Sequence, residues 1–223
     1  MQTAARLIPV VIPAKAEIRL HESPVIKHLG VAVYAPTYQA MRRFTETRSA
    51  ATPDELWVLE HPPVYTVGVA GRKEHLPRGS KIPLERVDRG GQITYHGPGQ
   101  AIVYALVDLA RRGLTVRAMV TTIEQAVIDT LAAYHVSAAR RSGAPGVFVG
   151  GAKIAALGLR VRRGSCYHGV ALNVNMDLAP FSAIDPCGYP GLAVTQTSAL
   201  GVAASTEQLG RALAERISRL IER

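Results

Sequence analysis

The chain has 223 residues, 48% hydrophobic and 19% charged, with a formal net charge of +9. That size and balance fit one folded domain and exclude intrinsic disorder, and no apolar run approaches the roughly 18 residues that span a bilayer. Two cysteines and no recognisable signal peptide make the cytoplasm the expected compartment and leave too few thiols for a structural zinc site.

Residues 1–28 are weakly patterned and interrupted by Pro9 and Pro13. They read as an N-terminal extension ahead of a single domain over 29–223. VAVY (31–34) predicts a strand that leads through Pro36 into a helix near 36–49, where Tyr38, Met41 and Phe44 recur at helical spacing. DELWVLEHPPVYTVG predicts two short strands parted at His61-Pro62-Pro63, because proline donates no ladder hydrogen bond. Residues 71–86 read as a charged loop. AIVYALVDL (101–109) is an unbroken apolar run of strand length, as a central strand requires. Thr115 then caps a helix whose Val116, Met119, Ile123, Val127, Leu131 and Tyr134 form one stripe. GVFVGGAKIAALGLRVRRGSCYHGVALNVNM predicts a run of strands turning at Gly150-Gly151 and Arg163-Gly164, and residues 177–197 a loop rich in Pro and Gly. Ser205 and Gln208 spell a capping box for a closing amphipathic helix. This order predicts an α+β fold: a single-domain sandwich of mixed or antiparallel sheet with packed helices, not a doubly wound parallel sheet.

RGGQITYHGPGQAIVY (89–104) sets glycines and His96 against a strand that must be buried. It matches neither a dinucleotide fingerprint nor a P-loop. Its glycines either make a hairpin turn or admit a ligand close to the backbone. His96 is either a hydrogen-bonded core histidine or a site residue. Lys153, in an otherwise apolar segment, either faces water from an edge strand or is a charge used in a partly dry site. Cys187 lies in the irregular AIDPCGYPGL, between Pro186 and Gly188, and is either an incidental thiol or a nucleophile with room beside it. Cys166, inside SCYHGVALNV, has the setting of a buried structural cysteine. The seven histidines are dispersed, without HExxH, and the Cys166/His168 pair is a weak metal signal. The positive charge fits either nucleic acid or an acidic protein. The basic residues form no tail and aromatics are only 5%, which argues against nucleic acid.

Taken together and in order, RGGQITYHGPGQAIVY, GGAKIAALGLRVRRG and HGVALNVNMDLAPFSAIDPCGYPGL resemble the lipoyl(octanoyl) transferases, over about Val31 to Thr197. These enzymes move octanoyl groups from acyl carrier protein to lipoyl domains. The resemblance implies a fold related to the catalytic domains of biotin and lipoate protein ligases. It implies Cys187 as the acyl-accepting nucleophile and Lys153 as its partner. It implies substrate contacts at Arg89, Gly90, Gly91, Gln92, Ile93, Thr94, Tyr95 and His96, at Ala156, Leu157 and Gly158, and at Gly169, Val170 and Ala171. Where the family often has serine this chain has Ala156, which offers a backbone contact and no hydroxyl. The implied partners are octanoyl-acyl carrier protein as donor, and the lipoyl domains of 2-oxo acid dehydrogenase complexes and the glycine cleavage H protein as acceptors. No cofactor, metal, nucleic acid or membrane is implied, and a monomer is expected. Two other readings stand beside this one. An ATP-dependent lipoate ligase of related fold is disfavoured, because the chain leaves no room for the accessory C-terminal domain. A non-catalytic binding module would form no acyl adduct.

Overall fold

The computed structural model describes residues 22–72, 75–77, 80–185 and 191–222. Ten strands and three α-helices build it: β1 (Val25–Val31), α1 (Tyr34–Thr47), β2 (Glu55–Glu60), β3 (Val64–Val67), β4 (Leu84–Arg86), β5 (Ile93–His96), β6 (Gln100–Asp108), α2 (Val116–Ala132), β7 (Ala139–Arg141), β8 (Ala144–Val149), β9 (Ala152–Arg162), β10 (Ser165–Asn173) and α3 (Thr206–Ile221). Seven strands form one sheet in the order β1-β2-β6-β10-β9-β8-β7, and three form a second in the order β4-β3-β5. Both sheets are mixed. β1 runs parallel to β2 and β4 to β3, and the other pairings are antiparallel. The α+β expectation holds.

The apolar run predicted as a central strand is β6, whose first eight residues are buried because both faces of the sheet are covered. Its odd-numbered side chains, Ala101 to Val107, join Leu56 and Val58 in packing under α2 and α3. Its even-numbered ones, Ile102, Tyr104 and Leu106, meet Met41 of α1 on the opposite face. Helix α2 is capped as expected, by the Thr115 side chain accepting from the Ala118 amide, and α3 carries the Ser205/Gln208 capping box.

The sequence pattern misplaces three features. VAVY is not a strand: β1 is VIKHLGV and ends at Val31, and α1 starts at Tyr34. The helix therefore takes Pro36 into its first turn, where no intrahelical N–H is needed. The sheet begins at Val25, inside the stretch read as an extension, because α1 is the crossover that a parallel β1–β2 pair demands. The loop read over 71–86 contains β4.

Just before β2 a fully buried carboxylate gathers three arginines. Asp54 accepts from Arg48 at 2.6 Å, Arg111 at 2.6 Å, Arg112 at 2.5 Å and the Asp108 amide at 2.8 Å. Burial acts to raise its pKa, but the Asp108 amide and the Arg48 and Arg112 guanidinium groups outweigh it and hold the carboxyl below its usual range. Removing the charge in Asp54→Asn leaves Arg48 and Arg112, 5% and 2% exposed, without their counter-ion. The expected cost is about 3–5 kcal/mol in urea denaturation at pH 7. Because the folded pKa is depressed, the wild-type advantage is present above about pH 4 and disappears as pH falls through the lower folded value. The variant's stability curve should be flatter on that acid limb.

Candidate active site

The residues that form the floor of the cavity between β9, β10 and the loop before β5 are small for a geometric reason. In the antiparallel register Ala156 of β9 faces Ala171 of β10, and Gly158 faces Gly169. Next to them on β6 stand Ile102, opposite Ala171, and Tyr104, opposite Gly169. Four small residues in two adjacent columns, flanked by two large ones, leave a trough along the sheet. The loop before β5 roofs it. The Gly90 amide donates to the Leu159 carbonyl at 2.9 Å, and a Cβ on Gly158 would stand 2.8 Å from the Gly90 carbonyl oxygen. Glycine at 158 is what lets roof and floor come this close. The cavity encloses about 520 Å³, its open mouth included.

Among the residues expected at a substrate site, Arg89, Gly91 to Thr94, His96, Ala156 to Gly158 and Gly169 to Ala171 all line this cavity. Gly90 reaches it through its main-chain contact with β9. Tyr95 does not line it. Its side chain packs with Tyr65 and Phe181 in a separate cluster under the small sheet. Four further wall residues, Tyr34, Ile102, Tyr104 and His168, are not among the expected substrate contacts; His168 stands out in the sequence only as half of a weak metal signal. Tyr34 arrives on α1 and the others on strands whose register is set by tertiary pairing.

The imidazoles around the cavity are held neutral. His96 is buried, which pushes its pKa down to about 3. Its Nδ1–H donates to Gln100 Oε1 at 2.8 Å, and Nε2 faces the Thr66 hydroxyl at 3.4 Å. Arg89 donates to that hydroxyl at 2.9 Å and to the Thr66 carbonyl at 2.7 Å. Burial likewise lowers His61 to about 4. It donates from Nδ1 to the Ala32 carbonyl at 2.5 Å and accepts the Tyr104 hydroxyl on Nε2 at 2.7 Å. The cavity is thus a trough lined mostly by apolar and small residues, with His96 paired to Gln100 and Arg89 to Thr66 at its polar side, and it suits an acyl chain. Among the described residues no group of three or more His, Cys, Asp and Glu side chains is arranged to hold a metal ion.

Lys153 lies on β9, an interior strand, and is 3% exposed. The water-facing edge-strand reading fails. Its Nζ donates to the Pro145 carbonyl at 3.0 Å and sits 5.2 Å from the centre of the Phe148 ring. Its backbone exchanges hydrogen bonds with Ala193 and Thr195, which bind the segment after residue 190 against β9. Asn173 reinforces that arrangement. Its amide donates to the Thr195 carbonyl at 3.0 Å and accepts from Gln100, the partner of His96, at 2.9 Å. Cys187 lies outside the described residues. Cys166 is in the core on β10, 0% exposed, with its thiol bonded to the Ala105 carbonyl and pushed up to about 12 by burial. A thiol so buried and so weakly acidic is structural.

The family model for the lipoyl protein ligase A/B catalytic domain matches residues 34–218. The chain is also 57% identical over 223 residues to an octanoyltransferase of Thiobacillus denitrificans, covering 99% of each chain. It belongs to the lipoyl protein ligase A/B catalytic domain family. The solved fold agrees. A lipoate-protein ligase A bound with ATP superimposes with a TM-score of 0.73 at 17% identity, over 89% of this chain and 85% of that one. A biotin protein ligase from Aquifex aeolicus, in complex with biotin and ATP, does so with a TM-score of 0.55 at 13% identity, over 88% and 70%. The family match opens at Tyr34, itself a wall of the cavity, and takes in every other residue that lines it.

Proposed function

We propose that this chain is an octanoyltransferase: it moves an octanoyl group from octanoyl-acyl carrier protein to the ε-amine of a lysine on a lipoyl domain, through a thioester on Cys187. The observation that carries the reading is 57% identity, over 99% of both chains, to a protein named octanoyltransferase. The trough supports it, being lined mostly by apolar and small residues as an acyl chain requires.

In the first step the Cys187 thiolate attacks the donor thioester carbonyl, and the carrier leaves as its thiol. In the second the acceptor amine attacks octanoyl-Cys187, an amide forms and the cysteine is regenerated. Lys153 has two roles. Its ammonium favours the thiolate electrostatically, and as amine it takes a proton from the attacking nitrogen. The glycine-rich 89–99 segment bounds the acyl slot and offers backbone N–H groups to the carbonyl oxygen. Exchange of one thioester for another is nearly level and aminolysis of a thioester runs downhill, so the donor drives the reaction without ATP. The net charge of +9 suits an acidic carrier protein by speeding encounter. The acceptors of this reading are the lipoyl domains of 2-oxo acid dehydrogenase complexes and the glycine cleavage H protein, and its compartment is the cytoplasm. Among the described residues no helix is long and apolar enough to cross a membrane.

The test is transfer from octanoyl-acyl carrier protein to a lipoyl domain in the absence of nucleotide, followed by intact mass spectrometry of the acceptor. A mass gain of one octanoyl group is expected. Transfer that needs free octanoate and ATP would identify a ligase instead, and no transfer under either condition would identify a binding module.

A further inference from the structure

Regular strand alternation puts Cys166, Val170 and Leu172 of β10 on the face covered by α2 and α3, and it assigns His168 to that face too. The imidazole is not there. His168 has a φ of +65°, a left-handed conformation that side chains other than glycine rarely adopt. The local reversal swings its ring to the opposite face. There it stacks on Tyr167 at 5.0 Å and on Tyr38 at 5.5 Å, and stands edge-on to Tyr104 at 6.3 Å between ring centres. Tyr167 already belongs to that face, so two consecutive side chains share it. The ladder with β6 pairs Cys166 with Val107 and Gly169 with Tyr104 in one unchanged register, so the reversal at His168 is local. Asp88 fixes the result. One carboxylate oxygen accepts from His168 Nε2 at 3.1 Å, and the other accepts the Tyr167 hydroxyl. A strained backbone, a carboxylate and three aromatic rings thus hold one imidazole, 2% exposed, in the wall of the cavity. Such strain persists only where the surroundings over-determine it, and it gathers at functional sites.

The register gives the position of this wall. His168 pairs with Leu159, three residues beyond Ala156 and six beyond Lys153 along β9, or about 10 and 20 Å at the rise of a strand. We propose that His168 is the end stop of the acyl groove, the residue that sets the longest chain the enzyme accepts. The inference rests on the octanoyltransferase reading, which directs the acyl tail along the small-residue trough from the Ala156 end, about 10 Å away, towards His168. A freely rotating side chain would move aside for extra methylenes. An imidazole pinned by Asp88 and packed between rings does not, so a longer chain meets occupied volume.

The test is His168→Gly. Glycine adopts a φ of +65° without strain, so the variant removes the ring and keeps the backbone path. His168→Asn is the second variant, since asparagine also tolerates the left-handed region and shortens the side chain. Transfer to a lipoyl domain is measured as kcat/KM with octanoyl-, decanoyl- and dodecanoyl-acyl carrier protein, with thermal unfolding of each variant alongside. One misfitting methylene is worth about 10–200-fold. The dodecanoyl-to-octanoyl ratio is therefore expected to rise at least about tenfold in His168→Gly and by less in His168→Asn. Unmoved ratios in folded variants, while the wild type transfers octanoyl, would overturn the end stop alone. So would an equal loss on all three chains with a displaced pH profile, which would mark an acid–base role. A wild type that transfers no octanoyl group at all would overturn the underlying reading instead.

Discussion

Replacing Cys187 with alanine is expected to lower octanoyl transfer by at least about 10³-fold, since removing the nucleophile from a covalent mechanism leaves only binding and electrostatic assistance. The acyl-enzyme should vanish with it. Intact mass spectrometry of the wild type after incubation with octanoyl-acyl carrier protein should show a gain of one octanoyl group, absent in Cys187→Ala. Cys166→Ala is the matched control. Its thiol is bonded to the Ala105 carbonyl and raised to about 12, so it is protonated at neutral pH and out of reach of a carrier-bound thioester. That variant should keep the adduct and lose stability by the amount a small buried side chain contributes. An adduct that survives Cys187→Ala and disappears in Cys166→Ala would refute the assignment of the nucleophile.

Lys153→Met should slow transfer about 10–10³-fold at neutral pH, with the loss recovered as pH rises. Methionine fills nearly the same volume beside Phe148, so packing changes little while the ammonium is lost. A nearby cation lowers a thiol pKa by about 1–3 units from its ordinary value near 8.5. Without the cation, the pH midpoint for alkylation of Cys187 by iodoacetamide should move upward by that amount. Lys153→Arg separates the two roles. Guanidinium keeps the charge but does not give up a proton, so the midpoint should stay low while octanoyl-enzyme accumulates ahead of a slowed second step. A midpoint unmoved in Lys153→Met would remove the electrostatic role.

Much of the fold was legible from local chemistry. The β6 apolar run, the Thr115 cap and the Ser205/Gln208 capping box were readable because each depends on residues within a few positions of one another. Failures occurred where a partner far along the chain decides. β1 carries Lys27 and His28 in an irregular, mostly exposed pattern, and it is a strand only because β2 pairs with it. The same holds for β4, three residues ordered by their ladder to β3.

The site divides along the same line. By itself the sequence determined which residue types were present in family order: the glycines and His96 of the 89–99 segment, the Ala156–Gly158 and Gly169–Ala171 triplets, and the lone Lys153 and Cys187. Those are covalent facts about the chain, fixed by identity and spacing. Only the tertiary structure decided that the two triplets face each other as small residues on neighbouring strands, because antiparallel register is a long-range choice. Only it turned Tyr95 away from the cavity and brought Tyr34 in. It also split Cys166 from His168, a pair whose i, i+2 spacing predicts one shared face. A single left-handed φ, stabilised by Asp88 some 80 residues earlier, put the thiol in the core and the imidazole in the groove.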